Sequence, residues 1–332
     1  MELTTVTDDE IVVHDGIEVH RRVGLDPDRD HEVAGIAART LPRPAGERLC
    51  TFATVNDVHF GEVECGIIEG LPSGPTFRAA EGDDPYPVVM NRGAVAEMRA
   101  IDPAAVLVKG DLTAEGTVEE YDDFLAMYGG FGERLHHVRG NHDAFHGATF
   151  ASEAPFVVEL PGVRLAVIDT VIPGRESGRV SAETLGWIDA LAVDSDRPIL
   201  LFGHHHAWDP GSRHRPDDYF GINPDDSEAL IEVVARRPRI RGYFAGHTHR
   251  NRVRHFAATG PVPWVEVACV KDYPGSWAEY RVFEGGILQI HRRISSPEAL
   301  RWTEQTRQMF AGAYADYALG EIDDRCFVVT TG

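Results

Sequence analysis

Five apolar runs in this sequence stop at short polar motifs: NDVH at 56–59, GDLT at 110–113, GNHD at 140–143, GHHH at 203–206 and GHTH at 246–249. Four of the five carry a glycine, which lets a backbone turn sharply and approach a ligand closely. The side chains offered are carboxylates, imidazoles and one amide, with no thiolate. Such a mixed nitrogen and oxygen set suits manganese, iron, zinc, cobalt or nickel, and suits calcium or copper(I) poorly. Asp57 and His59 stand two apart, as do His247 and His249. On an extended segment each pair points to one side and offers two ligands to one small volume. The donors outnumber what one ion needs, so the set predicts two metals. A single motif of this kind would be a capped turn beside a surface histidine, and the mid-chain run His204, His205, His206 would alone be weak evidence. Five such motifs in one chain are hard to assign to packing.

These motifs need strands to deliver them. LCTFATV, AVLV, RLHHV, PILLF and IRGYFA read as strands directly ahead of the five motifs. Helices alternate with them. GAVAEMRAI has helical spacing. Thr117 and Glu120 form a capping box ahead of EEYDDFLAMY, which stops at Gly129 and Gly130. Ser181 caps AETLGWIDALA, and a further helix is expected near 226–236. FVVEL and VRLAVID flank Pro161-Gly162 as a hairpin, and WVEVACV, YRVF and GILQIHR add strands. EIVV and IEVHRRV flank an Asp15-Gly16 turn, so residues 10–38 read as short strands. Ser296-Pro297-Glu298 opens a helix expected to run to about Leu319, with Gly320 as its stop. The order predicts an α/β (α+β) protein of layered sheets flanked by helices. In such sheets the carboxyl ends of strands converge on the ligand crevice.

The series NDVH, GDLT, GNHD, GHHH, GHTH resembles the calcineurin-like metallophosphoesterase superfamily over residues 51 to about 250. GDLTAEGTVEEY is similar to the form in class III cyclic-nucleotide phosphodiesterases and bacterial glycerophosphodiesterases, and SGRVSAETLGWIDALA also resembles a family segment. The resemblance implies an αββα sandwich of two packed mixed β-sheets. Extra N-terminal strands would occupy 1–48, the catalytic domain 49–293 and a C-terminal helical extension 294–332. It further implies that Asp57, His59 and His249 hold one metal, that Asn141, His204 and His247 hold the other, and that Asp111 bridges both. The ions, with manganese, iron or zinc foremost, would share a hydroxide that attacks phosphorus. His142 would protonate or stabilise the leaving alkoxide. Asp143 beside it would either orient that imidazole or cap the local turn. His205 would stand behind the ligands or face substrate, and His206 sits where relatives often have proline. Purple acid phosphatases, a subfamily, have tyrosine three residues after the bridging aspartate and glycine at the His59 position. Ala114 and His59 depart from that pattern, so no iron–tyrosinate colour is expected.

Other groups have two readings each. Arg213, His214 and Arg215, in an irregular stretch at 209–222, are substrate contacts or a solvated basic run, and Arg250 and Arg252 are of the same grade. His136 and His137 lie within a strand and read as structural, as does His146. Residues 60–84, rich in glycine, proline and glutamate, form a long loop that is a lid or an ordinary insertion. Trp302, Phe310, Tyr314 and Tyr317 read as a packing or dimer stripe on the last helix.

The chain has 332 residues, with 53 acidic against 32 basic side chains and a net charge of −21. Such a surface repels nucleic-acid polymers and anionic membranes. The four cysteines are scattered without a CxxC pair, as in a reducing compartment. The acidic N-terminus lacks a signal-peptide pattern and no apolar run reaches membrane-span length, so a cytoplasmic protein is expected. The leading expectation is a phosphodiesterase for a cyclic nucleotide or a glycerophosphodiester. A phosphomonoesterase on the same site is the alternative, and a non-catalytic scaffold the third reading. A homodimer stays open.

Overall fold

The computed structural model describes residues 1–67 and 74–331. The hairpin at Asp15-Gly16 belongs to an antiparallel sheet of β1 (Glu2–Val6), β2 (Glu10–Asp15) and β3 (Glu18–Val23), and β4 (Asp30–Val33) pairs with β5 (Ile36–Arg39). β1 lies ahead of the region where the sequence pattern suggested strands. Next come β6 (Arg48–Val55), α1 (Tyr86–Ala100), β7 (Val106–Lys109), α2 (Val118–Tyr128) and β8 (Leu135–Val138). The second half continues with β9 (Phe156–Leu160), β10 (Val163–Val167), α3 (Ala182–Asp194), β11 (Ile199–Phe202), α4 (Pro224–Arg236), β12 (Ile240–Ala245), β13 (Arg252–His255) and β14 (Pro263–Glu266). β15 (Ser276–Phe283) and β16 (Gly286–Arg293) form a hairpin, followed by α5 (Pro297–Thr306), α6 (Ala313–Leu319), α7 (Ile322–Arg325) and β17 (Phe327–Thr330).

Two six-stranded mixed sheets result, ordered β17-β16-β15-β6-β7-β8 and β13-β14-β12-β11-β10-β9. In the first, β6, β7 and β8 are parallel. In the second, β10, β11, β12 and β14 are parallel. The strands VLVK and ILLF are buried along their whole length, as expected of strands covered on both faces. Phe52, Leu107 and Tyr280 of the first sheet pack against Leu165, Phe202 and Phe244 of the second. Met90, Met98, Phe124 and Trp302 cover the outer face of one sheet, and Ile188, Leu230 and Val234 cover the other. The layers are therefore helix, sheet, sheet, helix, the αββα sandwich that the motifs implied.

Local chemistry sets the helix starts. Thr117 and Glu120 make the reciprocal capping box, and Ser181 and Ser296 accept from the backbone three residues on. The final helix departs from expectation. Instead of one run to Leu319, the chain breaks after Thr306 and turns through left-handed Phe310 and Ala311, with φ of 52° and 56°. Met309 is buried there, and Gly74 lies so close that an added Cβ would come within 2.7 Å of the Ala311 nitrogen. Tertiary packing overrides helix propensity at this point. Gly320 does cap α6. Among the described residues, no helix is long and apolar enough to cross a membrane.

Candidate metal centre

The carboxyl ends of β6, β7, β8, β11 and β12 meet at one edge of the sandwich. The segments that follow are not extended, which corrects the geometry expected for the two-apart pairs. Asp57, His59, Asp111, His247 and His249 all have left-handed backbone, with φ of 53°, 46°, 49°, 68° and 56°. Residues with a Cβ resist this region, and its concentration here marks a site where strain is held by the surroundings. The consequence differs between the pairs. Asp57, His59 and His249 bring ligating atoms within 4.8 Å of one another, whereas His247 turns away from His249 and gathers with His204 and His205.

Asp111 sits between the two groups. Its Oδ2 lies 3.5 Å from His59 Nε2 and 3.4 Å from His204 Nε2. His249 Nε2 is 3.7 Å from Asp57 Oδ1, and Asn141 Oδ1 is 3.0 Å from His204 Nε2. Glycines allow this crowding: a Cβ on Gly246 would stand 2.8 Å from Asp57 Oδ2. Outer hydrogen bonds fix the rings. His204 donates through Nδ1 to the Lys109 carbonyl at 3.0 Å, and His247 donates through Nε2 to the Phe220 carbonyl at 2.6 Å. Each ring is left with its other nitrogen for the cluster, the usual support of a metal-binding histidine.

The electrostatics fit a cation. Both ring nitrogens of His59 are buried without a hydrogen-bond partner among the described residues. Burial and the neighbouring His142 hold His59 well below its usual range, so it stays neutral with a free lone pair. Burial would raise the Asp111 carboxyl, but His204 and His142 hold it well below the ordinary carboxylate value. Burial would lower His204, yet Asp111 carries it up to about 9. Positive charge is thus favoured where these oxygens converge. Burial and the neighbouring His205 and His204 hold His247 well below its usual range. The several Asp and His clusters are consistent with a dinuclear metal site.

The remaining sequence-selected groups fall in distinct places. His142 donates through Nδ1 to the Ala114 carbonyl at 2.7 Å and lines the cavity, and its backbone N–H donates to Asp111 Oδ1 at 3.0 Å. Asp143 does not hydrogen-bond the His142 imidazole. Its carboxylate accepts from the backbone of Leu112, Thr113 and Gly140 at 3.0, 2.8 and 2.7 Å, and from the Thr113 hydroxyl at 2.6 Å. It clasps two loops together, which favours the turn-capping reading. His205 is buried with both nitrogens occupied: Nε2 donates to the Glu176 carbonyl at 3.1 Å, and Nδ1 lies 2.8 Å from the Thr170 hydroxyl. His206 meets the Tyr219 hydroxyl at 2.8 Å. Arg213 and His214 are exposed and do not line the cavity. Arg250 is tied to Glu266 at 2.8 Å and stacks on the Tyr317 ring. His137 bonds Tyr121, and His146 is exposed beside Glu115. Part of the long loop, residues 68–73, lies outside the described residues.

The cluster opens into a cavity of about 570 Å³. Sequence reasoning missed several of its walls. Lys271 and Asp272 line it, with Lys271 Nζ 2.9 Å from Glu62 and 3.0 Å from Asp272. These two follow the apolar run WVEVACV, so the rule that found the other five motifs would have found them. Phe310, Tyr314 and Tyr317 also line the cavity, whereas Trp302 packs on Tyr86. The packing reading holds for Trp302 and Tyr314, which lie in the core with Phe310 against it, and Phe310, Tyr314 and Tyr317 have the additional role of lining the cavity. The same helical spacing serves core and cavity alike, so no sequence signal separated them.

Comparison with known proteins agrees with this architecture. The chain belongs to the calcineurin-like phosphoesterase family, whose model matches residues 50–251. It is 27% identical over 245 residues to a probable cyclic nucleotide phosphodiesterase from Synechococcus, covering 70% of this chain and 87% of the relative. It is 26% identical over 220 residues to a probable glycerophosphodiester phosphodiesterase from Arcobacter nitrofigilis, covering 61% of this chain and 75% of that protein. In fold it is similar to a dimetal phosphatase from Danio rerio, with a TM-score of 0.59 at 15% identity, covering 86% of this chain and 100% of that one.

Proposed function

We propose that the chain hydrolyses a small phosphodiester with the help of two transition-metal ions, manganese, iron or zinc. Asp57, His59 and His249 would hold one ion, Asn141, His204 and His247 the other, and Asp111 both. The observation that carries this reading is the Asp111 carboxylate lying 3.5 Å from His59 and 3.4 Å from His204, between the two ligand groups. The catalytic unit is taken as 49–293, with 1–48 as accessory strands and 294–332 as an extension that reaches back to the cavity. The names of the relatives support a diester over a monoester.

When bound, the ions would supply positive charge to the phosphate oxygens and lower the pKa of water to about 7. The protein does the rest. His142, its Nδ1 hydrogen held by the Ala114 carbonyl, has Nε2 for the proton that the departing oxygen needs. Water's oxygen joins phosphorus, one ester P–O bond breaks, and the products are a phosphomonoester and an alcohol. His205, buried behind His204 and His247, holds the local loops rather than the substrate.

Hydrolysis of bis-p-nitrophenyl phosphate against p-nitrophenyl phosphate, after manganese reconstitution and with Asp111→Asn as blank, tests the proposal. A kcat/KM that favours the diester supports it. Preference for the monoester moves the assignment to a phosphatase. Cleavage of neither, with any of the three metals, returns the scaffold reading.

A further inference from the structure

The part of the cavity wall that comes from residues 309–317 has a character of its own. Tyr314 donates its hydroxyl to Asp272 Oδ1 at 2.6 Å, and Tyr317 donates to the Thr248 carbonyl at 2.9 Å. With both hydroxyls committed to the protein, these rings offer carbon surface to a ligand. Met309 and Phe310 add more, and Phe220, its ring centroid 4.1 Å from that of His247, continues the apolar lining toward the candidate ligands. The charge on the lining is equally telling. Lys271 is the only lysine or arginine among the described lining residues, and Glu62 and Asp272 already pair with it. Glu176 adds a further carboxylate. Away from the candidate metal centre, no described lining residue is left with an uncompensated positive charge to offset a second anion.

The backbone supports a purpose for this segment beyond packing. Phe310 and Ala311 are left-handed in succession, with φ of 52° and 56°, a conformation that residues with a Cβ resist. Such strain persists where surroundings hold a segment in place, commonly at ligand clamps. An uninterrupted helix would avoid it. The break at Phe310 and Ala311 instead accompanies a segment whose Met309 and Phe310 reach the cavity.

We propose that residues 309–317 select the substrate by taking an uncharged planar or apolar substituent of a phosphodiester whose only negative charge lies at phosphorus. This rests on the phosphodiesterase reading. Its consequence is discrimination against diesters that carry a carboxylate or second phosphate, and against small, fully hydrophilic substituents.

The test uses the manganese-loaded full chain and three diesters with one common leaving group: methyl, phenyl and 2-carboxyethyl p-nitrophenyl phosphate. The phenyl ester is expected to exceed the methyl ester in kcat/KM by roughly tenfold, the effect of withdrawing a ring from water. The carboxyethyl ester is expected below both. Phe310→Ala should bring the phenyl-to-methyl ratio toward one with metal content unchanged. Glu176→Lys, a change at an exposed residue, should raise the carboxyethyl ester relative to the methyl ester. Calorimetry with phenyl phosphate and methyl phosphate should show the same order in affinity. Cleavage of the methyl ester with equal or poorer use of the phenyl ester overturns the inference and leaves the phosphodiesterase reading intact. Cleavage of none above the Asp111→Asn blank overturns both.

Discussion

Tyr314 donates its hydroxyl to Asp272 at 2.6 Å, and the other oxygen of that carboxylate lies 3.8 Å from His249 Nδ1. A residue of the C-terminal extension thereby fixes a carboxylate that faces a candidate metal ligand. Burial would raise the Asp272 carboxyl, but Lys271 and His249 hold it below its ordinary value, so it stays ionised and sets a negative charge beside the imidazole. Partners of this kind set ligand basicity and ring position, and their loss costs about 10–100-fold in metal affinity. Asp272→Asn should therefore weaken binding of one manganese by that factor, with Tyr314→Phe giving a smaller loss in the same direction. Metal titration of chelator-treated protein measures this. Two unchanged affinities in Asp272→Asn would show that this carboxylate does not support a metal ligand.

His142 gives a second, separable expectation. Its hydrogen bond to Ala114 holds the ring in place without Asp143. If its task is to supply a proton to the departing oxygen, the need grows with the basicity of that oxygen. His142→Asn should lower kcat by about 10²–10⁴ for a diester with an alkyl leaving group. The loss should be much smaller with p-nitrophenolate, which leaves without protonation. Metal content should be unaffected. Equal losses for both leaving groups would assign His142 to binding or charge stabilisation instead.

Gly140 carries a third. A Cβ there would run into the Asp111 backbone nitrogen and carboxylate, neither of which can move without displacing the strand end. Gly140→Ala is expected to destabilise the fold by about 3 kcal/mol, in the range of overpacked cores, and to abolish stoichiometric metal binding. Denaturant unfolding and metal analysis together report it. Near-native stability with two ions bound would show that the β8 loop is far more pliant than its contacts indicate.

These three sites also mark how far sequence reading reaches. Asp57, Asp111 and the histidines were legible because each motif ends a strand, and strand ends converge whatever the register. The left-handed backbone at Asp57, His59, Asp111, His247 and His249 was not legible, since nothing in the residue types distinguishes it from an extended ladder. That conformation decides that His247 and His249 separate. Lys271 and Asp272 follow an apolar run as the five motifs do, so they were legible by the same rule, and NDVH shows that a missing glycine is no bar. The break at Phe310 was hidden because the residues it lies against, Gly66 beside Met309 and Gly74 beside Phe310 and Ala311, are more than two hundred residues away in sequence. Asp143 was ambiguous for a similar reason: its four donors come from two loops that only the fold brings together.

The accessory strands supply a prediction about pH. His14 on β2 is buried, with Nδ1 2.8 Å from the Thr4 hydroxyl and Nε2 3.2 Å from the Ser295 hydroxyl. Burial, with Arg293, Arg21 and His20 nearby, brings its pKa from 6.5 down to about 3. His291 on β16, which donates to the Thr4 carbonyl at 3.0 Å, is likewise held well below its usual value by burial and the charge of Arg325. In the unfolded chain both take up a proton near pH 6.5, whereas the folded protein leaves them neutral. The unfolded state therefore binds more protons as pH falls, and stability, fully present above about 6.5, declines toward pH 3 by up to about 1.4 kcal/mol per unit for each histidine. Urea unfolding at pH 7.5, 6.0 and 4.5 should show the decline. His14→Gln, which keeps a polar partner for Thr4 without a titrating group, should flatten it by close to one proton. A slope identical to that of the parent chain would place the acid sensitivity elsewhere than at the seam where His14 and His291 meet β1.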